Sequence, residues 1–550
     1  MRHRELWYKD AIIYSLDVET FQDSNGDGVG DFEGLIRRLD YLAALNVTCI
    51  WLLPFFPSPN RDNGYDVTDY YGVDPRLGSL GDFVEFVHQA HNNGMRVMID
   101  LVVNHTSIDH PWFQAAREGP SSPFYDYYVW SKEKPEDAHE DVVFPGVQES
   151  IWTYDRKAKA YYLHHFYDHQ PDLNIANQAV RDEIRKIMAF WLKLGVSGFR
   201  VDAAPFLIGL RGLDEIVPDN TDPYVYLREF RDFLSWRRGD AIMLAEANVT
   251  MDKIPEYFGD GDRLHMLFNF MVNQHLFLAL ACEEAGPLIE GLRLPPEIPT
   301  SGQWANFLRN HDELDLGRLS DEQRAFVFEQ FAPQKNMQLY DRGLRRRLAP
   351  MLGNDRRRLE LANSLLLTLP GTPVLRYGQE IGMGENLELN ERDSVRTPMQ
   401  WSDDPNAGFS IADRSDLFRP VIDEGEYGYQ QVNVMKQRRD PDSLLNWTHK
   451  ALLVRRQCPE FGYGDWYLLE ADHPAVLVHR CEWGGGVVVA VHNLSSEKVS
   501  TRLDLSDYSD DERWLGLFSD HAYDELDGSG AAIELAGYGY RWFRIEKPAG

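Results

Sequence analysis

VRDEIRKIMAFWLKLGVSGFRVDA, residues 180–203, decides the fold. Its first half places apolar residues at Ile184, Ile187, Met188, Trp191 and Leu192, the spacing of one helix face. The pattern then changes. SGFRVD, from Ser197, is short, β-rich and apolar until it ends on Arg200 and Asp202. A continuously apolar strand preceded by an amphipathic helix is the signature of a parallel sheet covered on both faces.

Working outward, seven more strands of this kind are predicted. They are AIIYSLDV from Ala11, CIWLLP from Cys49, RVMIDLVV from Arg96, AIMLAE from Ala241, HMLFNF from His265, WANFLRN from Trp304 and PVLRYG from Pro373. Eight strand–helix units imply an α/β fold, a (β/α)₈ TIM barrel; periodicity alone also admits a doubly wound open sheet. The spacing is uneven. A Pro-, Asp-, Tyr- and His-rich stretch, residues 106–177, reads as a small domain inserted after the third strand. A helical insertion is expected at about 321–355, with its basic run RRRLAP on a solvated or salt-bridged helix face. From 452 the pattern becomes short alternating segments such as AVLVHRCEW and GYGYRWFRI, which predicts an antiparallel β-sandwich over 452–550. Residues 1–105 and 178–451 are left for the barrel.

The chain has 550 residues, 87 acidic and 56 basic, and a formal charge of −31. That balance argues against nucleic acid and anionic membranes, which call for a basic face. The opening MRHRELWYKD has no apolar signal region, and no apolar run reaches the roughly 18 residues of a membrane helix. Cys49, Cys282, Cys458 and Cys481 are far apart, which predicts free thiols and a cytoplasmic enzyme. Nothing in the sequence decides for or against a homo-oligomer.

In such a barrel the chemistry sits at the C-terminal ends of the strands. There the third strand carries Asp100, Asn104 and His105, the fourth Arg200 and Asp202, the fifth Glu246, and the seventh His311 and Asp312. Three carboxylates on three strand ends suit glycoside cleavage with retention: one attacks the anomeric carbon and another protonates the leaving oxygen. Arg200, two residues from Asp202 and on the same strand face, favours an ionised nucleophile. Glu246, facing other carboxylates, is expected to keep its proton. Asp312 then stabilises the cationic transition state or grips sugar hydroxyls, as His105 and His311 also can.

The ordered set DLVVNH, GFRVDA, AEAN and RNHDE resembles the conserved regions of the α-amylase superfamily, glycoside hydrolase family 13. The resemblance runs over essentially the whole chain. It implies Asp202 as nucleophile, Glu246 as acid/base and Asp312 as stabiliser. RDNGYD resembles the loop that lines the glucose subsite, here Asp62 and Tyr65. NERDSVRTPMQW resembles the segment that supplies an arginine to the same glucose, here Arg392 with Arg396 as the alternative. WLLPFFPSP, HHFYDHQPDLN and GQEIGMGENLELNERDSVRTPMQW are similar to the branch that interconverts maltose and trehalose by intramolecular transglucosylation. The implied partner is a small α-linked disaccharide; an α-glucosidase-type hydrolase of short α-glucosides is the alternative. After Pro205 the chain departs from that branch, with Gly209 where an acid is typical.

DSNGDGVGD places Asp23, Asn25, Asp27 and Asp31 at alternate positions, with the Val29 carbonyl between. This resembles the start of a calcium loop, predicting structural Ca²⁺ or Mg²⁺. A second family cation site would use Asn104 and Asp172. No motif suggests an organic cofactor.

Overall fold

The structure, a computed structural model, describes residues 6–209, 222–502, 513–524, 526 and 532–546. Eight parallel strands form the centre: β1 (Ile13–Leu16), β2 (Cys49–Leu52), β3 (Arg96–Leu101), β4 (Gly198–Val201), β5 (Ile242–Ala245), β6 (Met266–Phe268), β7 (Gln303–Phe307) and β8 (Thr372–Arg376). They are the eight runs read from the sequence. Strand β1 pairs with both β2 and β8, so the sheet is a closed barrel and the open alternative is excluded. Ile13, Trp51, Met98, Leu244, Met266 and Val374 fill its interior. A much larger apolar shell separates the strands from the helices outside.

The helix in the opening stretch runs Gln178–Lys193 and buries Ile184, Ile187, Met188, Trp191 and Leu192. Asn177 caps its start by accepting from the Ala179 amide, and Gly195, at φ +103°, turns the chain towards β4. That reversal is what points the chain of β4 back through the barrel, with Asp202 at its far rim.

Between β3 and this helix the chain builds a three-stranded antiparallel sheet from Trp130–Ser131, Trp152–Asp155 and Ala160–Leu163. It has its own small core around Val129, Ile151 and Leu163. The stretch after β7 is only partly helical. One helix, Asp321–Phe331, is followed by a hairpin, Gln338–Leu339 and Gly343–Leu344, that pairs with Leu314–Asp315. The basic run is not a solvated helix face. Arg345 and Arg347 are buried, and Arg345 donates to the carbonyls of Asn336, Leu387 and Leu389. Arg346 pairs with Glu385 at 2.8 Å. Arg345 straps down segment 385–391 by its carbonyls, which have no strand partners to bond, while Arg346 and the Arg347 amide hold the Glu385 carboxylate.

The terminal unit is an antiparallel sheet of β9 (Asp465–Leu469), β10 (Val476–Trp483), β11 (Gly486–Asn493), β12 (Arg513–Ser519) and β13 (Tyr540–Glu546), in the order β9-β10-β11-β13-β12. Val478, Val489 and Phe543 face a two-stranded ribbon, Val499–Thr501 with Ile533–Leu535. Val488 and Trp542 face the barrel instead. There Trp542 donates to Ser364 at 2.8 Å. Among the described residues the second layer of the expected sandwich is therefore only two strands wide, and barrel helices cover the other face.

Candidate active site

Asp202 and Glu246 each lie one residue beyond their strands, and Asp312 lies five beyond β7. The ladder continues past the named strands: the Asp202 amide donates to Leu101 O, and the Glu246 amide to Val201 O, both at 3.2 Å. Ladder bonding fixes the backbone, so these side chains emerge at the rim from rigid positions. The next residue, Ala203, has φ +47°, a strained value for alanine of the kind found at functional turns. Its neighbour Ala204 donates to the Glu246 carbonyl at 3.2 Å, which locks the two strand exits together.

Arg200 lies beneath them, 1% exposed. Its guanidinium bonds Asp202 and Glu246 and reaches Asp100 at 3.2 Å. Asp100, directly across the ladder from Arg200, accepts from Trp51 at 2.6 Å and Tyr65 at 2.7 Å. The Tyr65 hydroxyl also meets His311 Nε2 at 2.7 Å, and the two rings stack. One cation thus serves three carboxylates at the floor of the site. It remains charged because those carboxylates hold its pKa well above the usual range against the opposing effect of burial.

The carboxylates differ sharply in environment. Burial pushes Glu246 up to about 8, despite Arg200. Burial acts on Asp312 in the same sense, but Arg392 and Arg396, at 3.2 and 2.8 Å from its Oδ1, outweigh it and hold it well below the carboxylate range. His311 stays neutral, because burial keeps its imidazole well below its ordinary value. Burial also lifts Asp62 to about 7; its Oδ2 accepts from Gln170 at 2.8 Å. One acid that keeps its proton beside one that keeps its charge is the pairing that general-acid chemistry next to a cationic transition state requires.

A cavity of about 450 Å³ opens over these groups, within the usual range for a small ligand. Asp62, Tyr65, His105, Asp202, Glu246, Asp312 and Arg392 line it; Arg200 and His311 support it from below. Both arginine candidates reach Asp312, but only Arg392 faces the cavity. Sequence reading missed the rest of the wall: Phe166, Phe206, Asn248, Glu313, Arg318 and Arg342. Asn248 and Glu313 lay within quoted strand-end motifs, AEAN and RNHDE, but were given no role there. Arg342 donates to the Val143 carbonyl at 2.9 Å, and Phe144 packs on Tyr167 and Tyr340. These contacts tie the inserted unit to the hairpin after β7 above the site. Of the departure after Pro205, residues 210–221 lie outside the described residues.

Among the described residues no group of three or more His, Cys, Asp or Glu side chains converges as a metal site. In the 23–31 loop Asp23 accepts from the amides of Asn25, Gly26 and Gly28 and from Ser410 Oγ. Asp31 caps the helix Phe32–Arg37 and holds Ser24. The expected second site does not fit a cation: His165 sits on Asp172, and Asn104 turns its amide nitrogen to Asp172 at 3.4 Å.

A closed parallel barrel with carboxylates at the ends of β4, β5 and β7 defines a class of glycoside-processing enzymes. The alpha amylase catalytic domain model matches residues 16–464, and the chain belongs to that family. A sucrose hydrolase-like C-terminal domain model matches residues 485–544. The chain is similar to a trehalose synthase of Thermus thermophilus, 46% identical over 98% of this chain and 56% of that protein. It is 43% identical to a trehalose synthase of Pimelobacter sp., over 98% and 96% of the two chains. Among solved structures, the trehalulose synthase MutB of Pseudomonas mesoacidophila superposes with a TM-score of 0.77 at 25% identity, covering 98% of this chain and 99% of that one.

Replacing Arg200 by Met leaves three buried or half-buried carboxylates without their shared cation. Loss of one partner from a buried ion pair costs ~3–5 kcal/mol. Urea unfolding of Arg200→Met is expected to show a loss of that size, and an unchanged midpoint would contradict the shared-cation reading.

Proposed function

We propose that the chain is a retaining transglucosidase of short α-glucosides that interconverts maltose and trehalose. Asp202 attacks the anomeric carbon of the non-reducing glucose while Glu246 gives its proton to the glycosidic oxygen. The C1–O bond breaks and a glucosyl ester on Asp202 remains. The freed glucose turns within the cavity, and its anomeric hydroxyl attacks C1. The ester bond breaks, and the Glu246 carboxylate takes the hydroxyl proton. Asp312, held ionised by two arginines, faces the positive charge of both transition states. Asp62, Tyr65, His105 and Arg392 grip the glucosyl unit, with Arg200 and His311 behind them.

The observation that carries the reading is the roof that the two insertions form together. Arg342 to Val143, and Phe144 against Tyr340, join the two insertions over the site. A covered site keeps water out and the released glucose in, and relatives named trehalose synthase match nearly the whole chain. Maltose incubated with the enzyme and followed by NMR is expected to give trehalose ahead of glucose. Glucose alone, at every maltose concentration, would assign the chain to the α-glucosidase-type hydrolases instead.

The acid role of Glu246 sets the alkaline side of the pH profile. Below about 8 the carboxyl carries the proton that the leaving oxygen needs; above it the proton is gone. The kcat/KM for maltose is expected to fall as pH rises through about 8. A rate that holds level to pH 10 would remove Glu246 from that role.

We also propose that the 23–31 loop takes a structural Ca²⁺ or Mg²⁺, through Asp23, Asn25, Asp27, the Val29 carbonyl and Asp31. Support comes from the alternate spacing of oxygen donors and from the partial exposure of Asn25 and Asp27 to solvent. A cation that binds only the folded state raises the melting temperature by mass action. Chelation, verified by metal analysis, is expected to lower it; no change would end the proposal. Four free cysteines support a reducing, cytoplasmic setting, which recovery of the enzyme from an extracellular fraction would contradict.

A further inference from the structure

Ladder bonding fixes Asp202 and Glu246, but the residues read above as gripping the glucosyl unit leave irregular backbone. Asp62 lies in a turn after β2, and Arg392 in a short 3₁₀ helix, Glu391–Val395, after β8. Backbone of this kind keeps one position only where side chains or neighbouring segments bond it. The demand on it is high, because a misplacement of about 1 Å among positioning groups costs on the order of a hundredfold in rate.

Arg419 supplies such bonds to both segments. It is 5% exposed. Its Nη2 donates to Asn63 Oδ1 and pairs with Asp393 Oδ1 at 3.0 Å, and its Nη1 donates to the Arg396 carbonyl at 3.2 Å. Asn63 Nδ2 closes the triangle by donating to Asp393 Oδ1 at 3.1 Å, across 330 residues of chain. Asn63 directly follows Asp62, and Asp393 directly follows Arg392. Asn63 has φ +49°, a left-handed value that Asn tolerates better than most residues, so the bend after Asp62 is held by the side chain bonded here. Glu19 stands 4.0 Å from Nη2, and the Phe418 ring centre lies 4.9 Å from the guanidinium carbon. Arg419 is anchored in turn by the 23–31 loop. The Asp23 amide donates to the Phe409 carbonyl and the Phe418 amide to the Gly28 carbonyl, both at 3.0 Å. A Cβ on Gly28 would collide with the Asp416 carbonyl, so the two segments run in direct backbone contact.

We propose that Arg419 is the positioning residue of the glucosyl-binding end of the cavity. It lies behind the cavity wall rather than in it. It holds the loop that carries Asp62 in register with the segment that carries Arg392 and Arg396, so that the glucosyl unit meets both walls at once. A lysine would keep the charge but could not bond three acceptors in one fixed fork. The inference rests on the reading above that Asp62 and Arg392 grip the glucosyl unit.

The test uses α-D-glucosyl fluoride, whose only sugar is the glucosyl unit itself. The bond from Asp202 to C1 forms as C1–F breaks, and fluoride leaves with the Glu246 proton. Water then attacks C1, the ester bond breaks, and Glu246 takes the water proton. Active sites are counted by trapping with a fluorinated glucosyl fluoride, so misfolded enzyme drops out of the rates. In Arg419→Met, kcat/KM per active site is expected to fall roughly tenfold or more, with KM raised. Arg419→Lys is expected to lie between Arg419→Met and wild type. Arg455, buried at the opposite end of the barrel and paired with Asp10 at 2.8 Å, is the control: Arg455→Met is expected to lower the melting temperature and leave KM unchanged. A wild-type KM in Arg419→Met, or in Arg419→Lys where the Met variant does not fold, overturns the proposal and leaves the glucosyl assignment intact. An equal rise of KM in Arg455→Met also overturns it, because KM would then report general loosening. Wild-type enzyme that does not consume the fluoride overturns the glucosyl assignment, and the proposal with it.

Discussion

The buried guanidinium of Arg200 is the interaction on which the site depends. Three strands bring carboxylates to one rim, and Arg200 is the cation that all three share. Arg200 can serve all three because it leaves β4 beside Asp202, opposite Asp100 in register and next to β5. Its planar fork can bond in several directions at once, which the single ammonium of a lysine cannot do with the same geometry. Trp51 and Tyr65 hold its surroundings rigid, with the guanidinium carbon 5.4 and 5.9 Å from their ring centres. The barrel positions the charge, and the charge bridges the carboxylates at its functional end.

A graded field follows from this arrangement. Asp312 meets two arginines, Arg396 and the Arg392 it shares with Glu313, and is held ionised; Glu246 is pushed up by burial, has only a share of Arg200, and is not. The difference in protonation that the reaction needs is therefore built from the count and placement of arginines around chemically similar groups. The strap formed by Arg345, Arg346 and Arg347 belongs to the same system. It fixes segment 385–391, from which Arg392 reaches both Asp312 and Glu313. A basic run that looks like surface decoration fixes the segment that leads into Arg392, an arginine of the cavity wall.

What was legible in the sequence was what local pattern controls. Apolar runs that stop on Asp, Glu, Arg or His are rare enough to mark strand ends, so the barrel and its rim residues could be read directly. Arg318, Arg342, Phe166 and Phe206 could not, because each acquires its meaning only when an insertion folds back over the barrel. Of the basic run, the salt-bridged reading fits Arg346, paired with Glu385, but the helix-face reading does not hold: the carbonyls that claim Arg345 lie some forty residues away in the chain. The Asn104–Asp172 pair failed as a cation site because His165, seven residues before Asp172, already occupies the carboxylate. Spacing shows which side chains can meet but not which partner arrives first.

The central claim is that Asp202, held by Arg200, carries the glucosyl group between the two halves of the reaction. The most direct measurement is to trap that ester with a fluorinated glucosyl fluoride, whose second step is slow, and to map the labelled peptide by mass spectrometry. A single fluoroglucosyl group on Asp202, absent from Asp202→Asn, is the result expected. A label on Glu246 or Asp312, or steady turnover with no covalent adduct on any residue, would contradict it.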